Sequence, residues 1–272
     1  MEARRIESSD GLRLAVDVHG EGPAVLLVHG LGFNRDRWSA QVQAFDAAGF
    51  QVVTFDLRGC GDSDMPAAAY DIATLSADVE SIREDLGLES FGLIGHSLGG
   101  MVALDYTLKH PDRVRTLALA STTCHNGRRA SALGSTISKL SDLGFDAAMA
   151  DPQISAEIEA LCASVSIYVP AIIEPLKRIT AEPNRARSLQ WRATVGWSVR
   201  GRIGEIGCPT LVMHGLADML MPLQAGQRLH EGISGSRWVA VPGAGHNLPV
   251  KRPDEFNASV LDFLADTYRH TP

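Results

Sequence analysis

The chain has 272 residues, of which 45% are hydrophobic and 21% charged, and its formal net charge at pH 7 is −7. This length can bury the core of one large domain, and the acidic balance argues against nucleic acid or an anionic membrane as a partner, because both bind a clustered basic surface. The four scattered cysteines lack metal-ligand spacing, so we expect free thiols and no metal site. We also expect no cofactor. Without an apolar leader or a membrane-length run, the sequence predicts a cytoplasmic protein.

The first half of the chain alternates between strand and helix patterns. Polar and apolar residues alternate on either side of a turn in 6–18, which predicts an antiparallel hairpin. Continuous apolar runs then predict strands that are covered on both faces, at 24–28, 51–55, 91–94 and 114–119. Helical patterns lie between them, at 35–48, 75–86 and 98–110. This order predicts a parallel sheet with helices on both faces.

The alternation stops after the run at 114–119. Residues 122–202 contain no strand-like run, and their patterns predict helices at 130–143, 156–166 and 185–199. Strands resume at 210–213 and 237–241, and an amphipathic helix at 253–268 closes the chain. We therefore predict an α/β core made of residues 1–121 and 203–272, with a helical insertion at 122–202.

One short stretch joins a buried strand to a helix through a serine between glycines. The sequence Gly95-His96-Ser97-Leu98-Gly99 fits the G-x-S-x-G nucleophile elbow, a sharp turn that exposes a serine hydroxyl above the sheet. A Cβ at either flanking glycine would clash where the chain passes close to itself. The helix that follows directs its free N–H groups to the same place, where they would stabilise negative charge.

Polar motifs follow the other predicted strands at the same edge of the sheet, where functional groups of parallel sheets collect. HGLGF begins at His29, DLRGCGDS at Asp56, HGLAD at His214 and GAGH at Gly243. Asp105 and Asp112 are rival acids, but they fall on or just after the helix that follows Ser97 and would point away from this edge.

These motifs, in this order, resemble those of the α/β-hydrolase superfamily, and within it the small bacterial carboxylesterases and enol-lactone hydrolases. The resemblance implies an eight-stranded, mostly parallel sheet with a helical lid inserted after strand six. The chain order Ser, Asp, His is the one this fold uses. It implies that Ser97 is the nucleophile, His246 the base and Asp218 the acid that orients the histidine.

An oxyanion hole needs two backbone N–H donors that are already in place. Leu98, directly after the nucleophile, supplies one. The resemblance places the other in the loop after His29, where we select Leu31 with Phe33 as the alternative. His29 itself is expected to support that loop. The loop that begins at Asp56 is interpreted as structural bracing, and His96 and Cys60 are expected to be exposed loop residues with secondary roles.

The substrate is less constrained by the sequence. A serine nucleophile excludes the alkyl-enzyme chemistry of aspartate-dependent dehalogenases and epoxide hydrolases, which leaves acyl chemistry on a small, largely apolar molecule. Phe33 and Trp191 are candidate substrate contacts, although Trp191 could equally pack on the core. Carbon–carbon bond hydrolysis of ring-fission products, cofactor-free perhydrolysis and a non-catalytic binding role remain alternatives. The oligomeric state stays open, a homodimer being one option.

Overall fold

The structure is a computed structural model and describes residues 1–126, 138–164 and 184–269. Its sheet has the strand order β1-β2-β4-β3-β5-β6-β7-β8, in which β1, β2 and β4 pair antiparallel and all other neighbours pair parallel. The strands are β1 (Glu2–Glu7), β2 (Arg13–His19), β3 (Ala24–Val28), β4 (Gln51–Phe55), β5 (Phe91–His96), β6 (Val114–Ala120), β7 (Thr210–Gly215) and β8 (Arg237–Val241). The predicted fold class, an eight-stranded and mostly parallel α/β sheet, is confirmed.

Helices connect the strands. They are α1 (Ser39–Ala47), α2 (Ile72–Asp85), α3 (Leu98–Lys109), α4 (Phe145–Met149), α5 (Pro152–Ser164), α6 (Arg185–Thr194), α7 (Leu223–Gly232), α8 (Leu248–Lys251) and α9 (Pro253–Arg269). Short 3₁₀ turns precede α1 at Arg35–Trp38, β6 at Pro111–Arg113 and β7 at Ile203–Glu205. No helix in the described part of the chain is long and apolar enough to cross a membrane.

The central strands are continuous apolar runs because both of their faces are covered. Every residue of β3 and β5 is buried. On one face, alternate strand residues such as Leu27 and Ile94 join a core cluster with side chains from α1 and α9, including Phe45 and Phe256. The intervening strand residues are buried as well, and α3 contacts β3, β5 and β6.

The winding direction of the sheet changes between β3 and β5. After β3 the chain moves outward to β4, and it then returns to form β5 on the other side of β3. In open α/β sheets, ligands bind at the carboxyl ends of the strands where the winding direction changes in this way. The loops that follow β3 and β5 therefore flank the expected binding position.

Two helix predictions in the core differ from the structure. The segment predicted as one helix from residue 35 begins as a 3₁₀ turn, in which Trp38 is fully buried, and becomes α-helical only at Ser39. Helices α7 and α8 were not predicted, and α7 is strongly amphipathic with Leu229 on its buried side. The hairpin and the other core strands lie within a few residues of their predicted positions.

The chain divides into two compact units. The first contains Met1–Pro66, Ile72–Cys124 and Val199–Pro272, and the second contains Ala67–Asp71 and His125–Ser198. The second unit has its own apolar cluster, formed by Leu140, Phe145, Ala148, Ile154 and Ile158. Its boundaries lie a few residues inside the predicted 122–202, and the short segment Ala67–Asp71 groups with it, which the sequence did not suggest.

The helices of the second unit differ in length from the predicted ones. Much of the helix predicted at 130–143 lies outside the described residues, although residues 138–143 are helical. Helix α5 begins at Pro152, four residues earlier than predicted. Helix α6 ends at Thr194 rather than at residue 199, because Val195 is extended and Gly196 has a φ of +73°. Such a φ is common only for glycine and ends a helix.

Candidate active site

The turn between β5 and α3 holds Ser97 in a strained conformation. Ser97 has a φ of +55° and a ψ of −117°, and it is one of two residues other than glycine with a positive φ in the described part of the chain. The chain passes so close to itself that a Cβ on Gly95 would overlap the backbone of Gly99, and one on Gly99 would overlap the carbonyl of Val28. The two glycines therefore make the turn possible, as expected for a nucleophile elbow.

We expect Gly99→Ala to destabilise the protein by about 3 kcal/mol or more, because the added methyl group meets backbone atoms that cannot move aside. Gly201→Ala is the matched control, since a Cβ there meets nothing within 4 Å and the residue is exposed. The free energy of unfolding of the control, measured in urea, should stay within about 0.5 kcal/mol of the wild-type value. Equal stabilities for the two variants would contradict the close approach of β3 and the elbow.

The side chains of Ser97, His246 and Asp218 form one hydrogen-bonded line. His246 Nε2 lies 2.9 Å from Ser97 Oγ, and His246 Nδ1 lies 2.9 Å from Asp218 Oδ2. The three residues come from the loops after β5, β8 and β7, which are the strand ends from which they were predicted. This is the geometry in which a histidine can accept a proton from a serine while a carboxylate holds its other nitrogen.

Asp218 is held so that it stays ionised. Its side chain is fully buried, and its Oδ1 accepts hydrogen bonds from the backbone N–H groups of Leu220 and Met221 at 2.9 and 2.8 Å. Burial acts to raise its pKa, but the hydrogen bonds from His246 and from these two N–H groups outweigh burial and hold the pKa below its usual value. A carboxylate in this state orients the imidazole and stabilises its protonated form.

Loops after β3 and β5 supply backbone donors beside Ser97. Leu98 is the first residue of α3, and N–H groups in the first turn of a helix have no acceptor within that helix. Across from it, Gly30 approaches so closely that a Cβ there would lie 3.4 Å from the Ser97 Cβ. Leu31 follows in the same loop. The two residues selected for an oxyanion hole therefore lie on segments next to the serine, Leu98 at the start of α3 and Leu31 in the loop after β3.

His29 supports the loop after β3. It is fully buried, its Nδ1 lies 2.8 Å from the carbonyl oxygen of Gly30, and its Nε2 accepts a hydrogen bond from the N–H of Leu57 at 3.0 Å. An imidazole that donates from Nδ1 and accepts at Nε2 has to be neutral. Burial lowers its pKa to about 4, a shift that the charge of Arg37 reinforces and that of Asp56 opposes.

This neutral histidine should make folding stability depend on pH. The unfolded chain protonates His29 near its ordinary pKa of about 6.5, whereas the folded chain does not, so acid favours unfolding. We expect His29 alone to contribute about 1 kcal/mol per pH unit to the fall in the free energy of unfolding between pH 6.5 and 5, measured in urea. His29→Gln, which cannot gain the proton, should have a correspondingly smaller slope. An equal slope in both proteins would contradict this role.

His96 corrects an expectation, because it is fully buried at the end of β5 rather than exposed in a loop. Its Nε2 lies 2.8 Å from the carbonyl oxygen of His246, and the two rings are 5.1 Å apart. Gly30 leaves room for it, since a Cβ there would lie 2.9 Å from His96 Nδ1. Burial and the neighbouring His246 lower its pKa well below the usual value, so it stays neutral behind the base.

Cys60 is also buried rather than exposed, with 7% of its surface accessible. It lies in the loop that begins at Asp56, and the charged groups of this loop are used for bracing. Asp56 is fully buried and accepts hydrogen bonds from Arg35 and from the N–H of Asp62. Arg58 pairs with Asp78 and Asp10. The loop that begins at Asp56 therefore braces the structure, as interpreted from the sequence.

Two further residues near the triad were not anticipated. His214, the fully buried residue before the end of β7, has its Nε2 2.9 Å from the carbonyl oxygen of Met221 and 3.6 Å from Asp218 Oδ2. Thr122 donates its hydroxyl to the Ser97 carbonyl oxygen at 2.7 Å. The sequence shows a histidine in the HGLAD motif and a threonine after β6. It does not show that these side chains contact the carbonyl oxygens of Met221 and Ser97, which only the folded chain reveals.

The two candidate substrate contacts lie in different units. Phe33 is 39% exposed in the loop after β3, and the guanidinium of Arg37 lies 3.6 Å from the centre of its ring. Trp191, on α6, packs against the apolar cluster of the second unit. The rival acids Asp105 and Asp112 lie on α3 and on the turn after it, and Asp105 pairs with Lys109 at 2.6 Å.

The chain belongs to the α/β-hydrolase family. The sequence pattern of the alpha/beta hydrolase fold matches residues 23–138, which include β3, the elbow and Ser97. A relative in Variovorax paradoxus named "Putative carbamate hydrolase RutD" is 34% identical over 93% of this chain and 96% of its own length. The fold and this relationship define the protein as an α/β-hydrolase enzyme.

Other similar proteins carry different names. A Synechocystis protein named "Putative non-heme chloroperoxidase" is 28% identical over 95% of this chain and 97% of its own length. The crystal structure of an enol-lactonase from Burkholderia xenovorans superposes with a TM-score of 0.75 over 97% of this chain and all of that chain, at 23% identity. Proteins with this fold are therefore named for several different reactions.

Proposed function

We propose that this enzyme is a serine hydrolase that cleaves a carboxylic ester or lactone of a small molecule through an acyl-enzyme on Ser97. The observation that carries the proposal is the position of His246, which lies within hydrogen-bond distance of both Ser97 and Asp218. A serine hydroxyl needs such a base to attack a carbonyl carbon at neutral pH. The family relationship supports hydrolysis as the reaction.

The reaction would proceed in two halves. Ser97 Oγ attacks the carbonyl carbon as its proton moves to His246 Nε2, and the N–H groups of Leu98 and Leu31 stabilise the negative oxygen. The intermediate collapses when His246 returns the proton to the leaving alcohol. Water then attacks the acyl-enzyme with His246 as base, and the acid leaves with Ser97 restored. Asp218 stays ionised throughout and stabilises the protonated imidazole.

The choice of Leu31 as donor rests on the position of its loop. A Cβ on Gly30 would lie 3.4 Å from the Ser97 Cβ, and Leu31 is the next residue of this loop. Phe33, two residues further on, is exposed, and we assign it to the substrate rather than to the oxyanion. The role of Trp191 as a substrate contact stays a prediction. The role of the helical insertion as a lid also stays a prediction.

A second candidate is perhydrolysis, in which hydrogen peroxide replaces water in the second half-reaction and releases a peracid. The name of the Synechocystis relative favours testing it. The same acyl-enzyme serves both reactions, so they differ only in the molecule that accepts the acyl group. Adding peroxide to an ester assay and measuring peracid against free acid separates them.

A substrate panel tests the proposal. We expect purified enzyme to hydrolyse phenyl esters of short acids or small lactones faster than an aryl carbamate or a ring-fission dienone. The carbamate is included because of the Variovorax relative, and the dienone represents carbon–carbon bond hydrolysis. Preferential cleavage of the dienone would replace the ester assignment with the carbon–carbon one. No turnover of any member would contradict the proposed function.

A further inference from the structure

A positive charge close to the triad has no carboxylate partner in the described part of the chain. Arg37 donates from Nη2 to the side-chain oxygen of Asn247 at 2.7 Å, and its guanidinium carbon lies 3.6 Å from the centre of the Phe33 ring. Its Nε is buried and has no hydrogen-bond partner. Among the residues that the structure describes, no carboxylate lies within ion-pair distance of this guanidinium.

Three other partly buried arginines of the core have carboxylate partners. Arg35 contacts the carboxylates of three aspartates, Arg58 those of two, and Arg83 those of two glutamates. The chain carries 32 acidic residues against 25 lysines and arginines, so acidic partners are plentiful. A guanidinium that is partly removed from water is costly unless it is paired. The missing partner therefore distinguishes Arg37 from these three arginines, among the residues that the structure describes.

The location of Arg37 connects it with the reaction. Phe33 belongs to the loop after β3 that also carries Leu31, and Asn247 directly follows His246. Arg37 thus touches the loop of the expected oxyanion donor and the loop of the expected base. Its charge also reaches His29 and His96, whose pKa values it lowers together with burial. Burial lowers the pKa of Arg37 to about 10, which leaves it charged at neutral pH.

We propose that Arg37 binds a free carboxylate of the substrate, so that the preferred substrate is an ester or lactone that carries a second, ionised carboxyl group. A planar guanidinium can hold a carboxylate through two parallel hydrogen bonds, which gives orientation as well as affinity. The exposed ring of Phe33 would contact the hydrocarbon between the two carbonyl groups. This inference rests on the proposed function and refines its substrate from largely apolar to apolar with one anionic end.

A matched pair of esters tests the inference. The p-nitrophenyl ester of hexanoic acid and the mono-p-nitrophenyl ester of adipic acid have the same chain length and differ by a terminal methyl or carboxylate. In Arg37→Gln we expect the ratio of kcat/KM for adipate to that for hexanoate to fall at least tenfold, mainly through KM. Arg37→Lys should retain part of the preference. Arg237→Gln, which removes a positive charge paired with Asp262, should leave the ratio unchanged.

An unchanged ratio in Arg37→Gln would overturn the inference, and equal losses on both esters would show that Arg37 only links the two loops. Binding provides a readout that does not depend on turnover. By calorimetry, Ser97→Ala should bind monomethyl adipate at least tenfold more tightly than methyl hexanoate, and the added Arg37→Gln change should abolish that preference. Equal binding of the two would also overturn the inference. Failure of the proposed function is recognised separately, because the wild type would then cleave neither ester.

Discussion

Ser97→Ala is expected to lower kcat on p-nitrophenyl butyrate by on the order of 10⁵-fold, since removing one member of a triad that acts as a unit removes most of its effect. The physical reason is that, among the described residues, Ser97 is the nucleophilic side chain that contacts His246 Nε2. Alanine at a φ of +55° should be tolerated about as well as serine, because both carry a Cβ there. Steady-state kinetics of purified protein measures the loss.

The control for this variant is its stability. Among the described residues, the Ser97 side chain donates to no buried acceptor apart from His246. The free energy of unfolding in urea should therefore change by about 1 kcal/mol or less. A small residual rate should remain from the oxyanion donors and from binding. If the folded variant kept most of its activity, Ser97 would not be the nucleophile.

Asp218→Asn is expected to lower kcat by about 10⁴-fold, the loss seen when the acid of a triad becomes an amide and the histidine takes the wrong tautomer. In this protein the carboxylate accepts from Leu220, from Met221 and from His246. An amide oxygen can still accept from the two backbone groups. Its NH₂ group would then face His246 Nδ1, which favours the tautomer with the proton on Nε2, where it cannot accept the serine proton.

Asp112→Asn is the matched control, since Asp112 is the rival acid on the turn after α3. It should keep kcat within about twofold, because a surface substitution of this kind has little effect on the fold. Both variants are assayed on p-nitrophenyl butyrate at pH 7.5. A loss in Asp112→Asn as large as that in Asp218→Asn would move the acid to the turn after α3.

The fold could be predicted largely because its central strands are covered on both faces. A run such as residues 24–28 is apolar throughout, which identifies a buried strand without any knowledge of its neighbours. The triad could be predicted because each member follows a strand of one parallel sheet, so that chain order and strand ends suffice to bring Ser97, Asp218 and His246 together. Both the buried strands and the order of the residues that follow them can therefore be recognised from local sequence patterns.

Contacts between distant parts of the chain could not be predicted. Arg37 meets Asn247 across 210 positions, and nothing in the HGLGFNRDRW segment distinguishes it from Arg35, which is neutralised by three aspartates. His96 appears exposed in a turn motif, yet the absence of a side chain at Gly30 allows it to be buried behind His246. Partners of this kind follow from packing, which one sequence does not reveal.

Labelling with a fluorophosphonate tests whether Ser97 is an activated nucleophile, because the reagent reacts with an activated serine and imitates acylation. Folded enzyme should take up one phosphonyl group, and peptide mass spectrometry should place it on Ser97. Labelling should be lost in Ser97→Ala and greatly slowed in Asp218→Asn. Folded protein that takes up no label on Ser97, or that carries the label on another residue, would contradict the account.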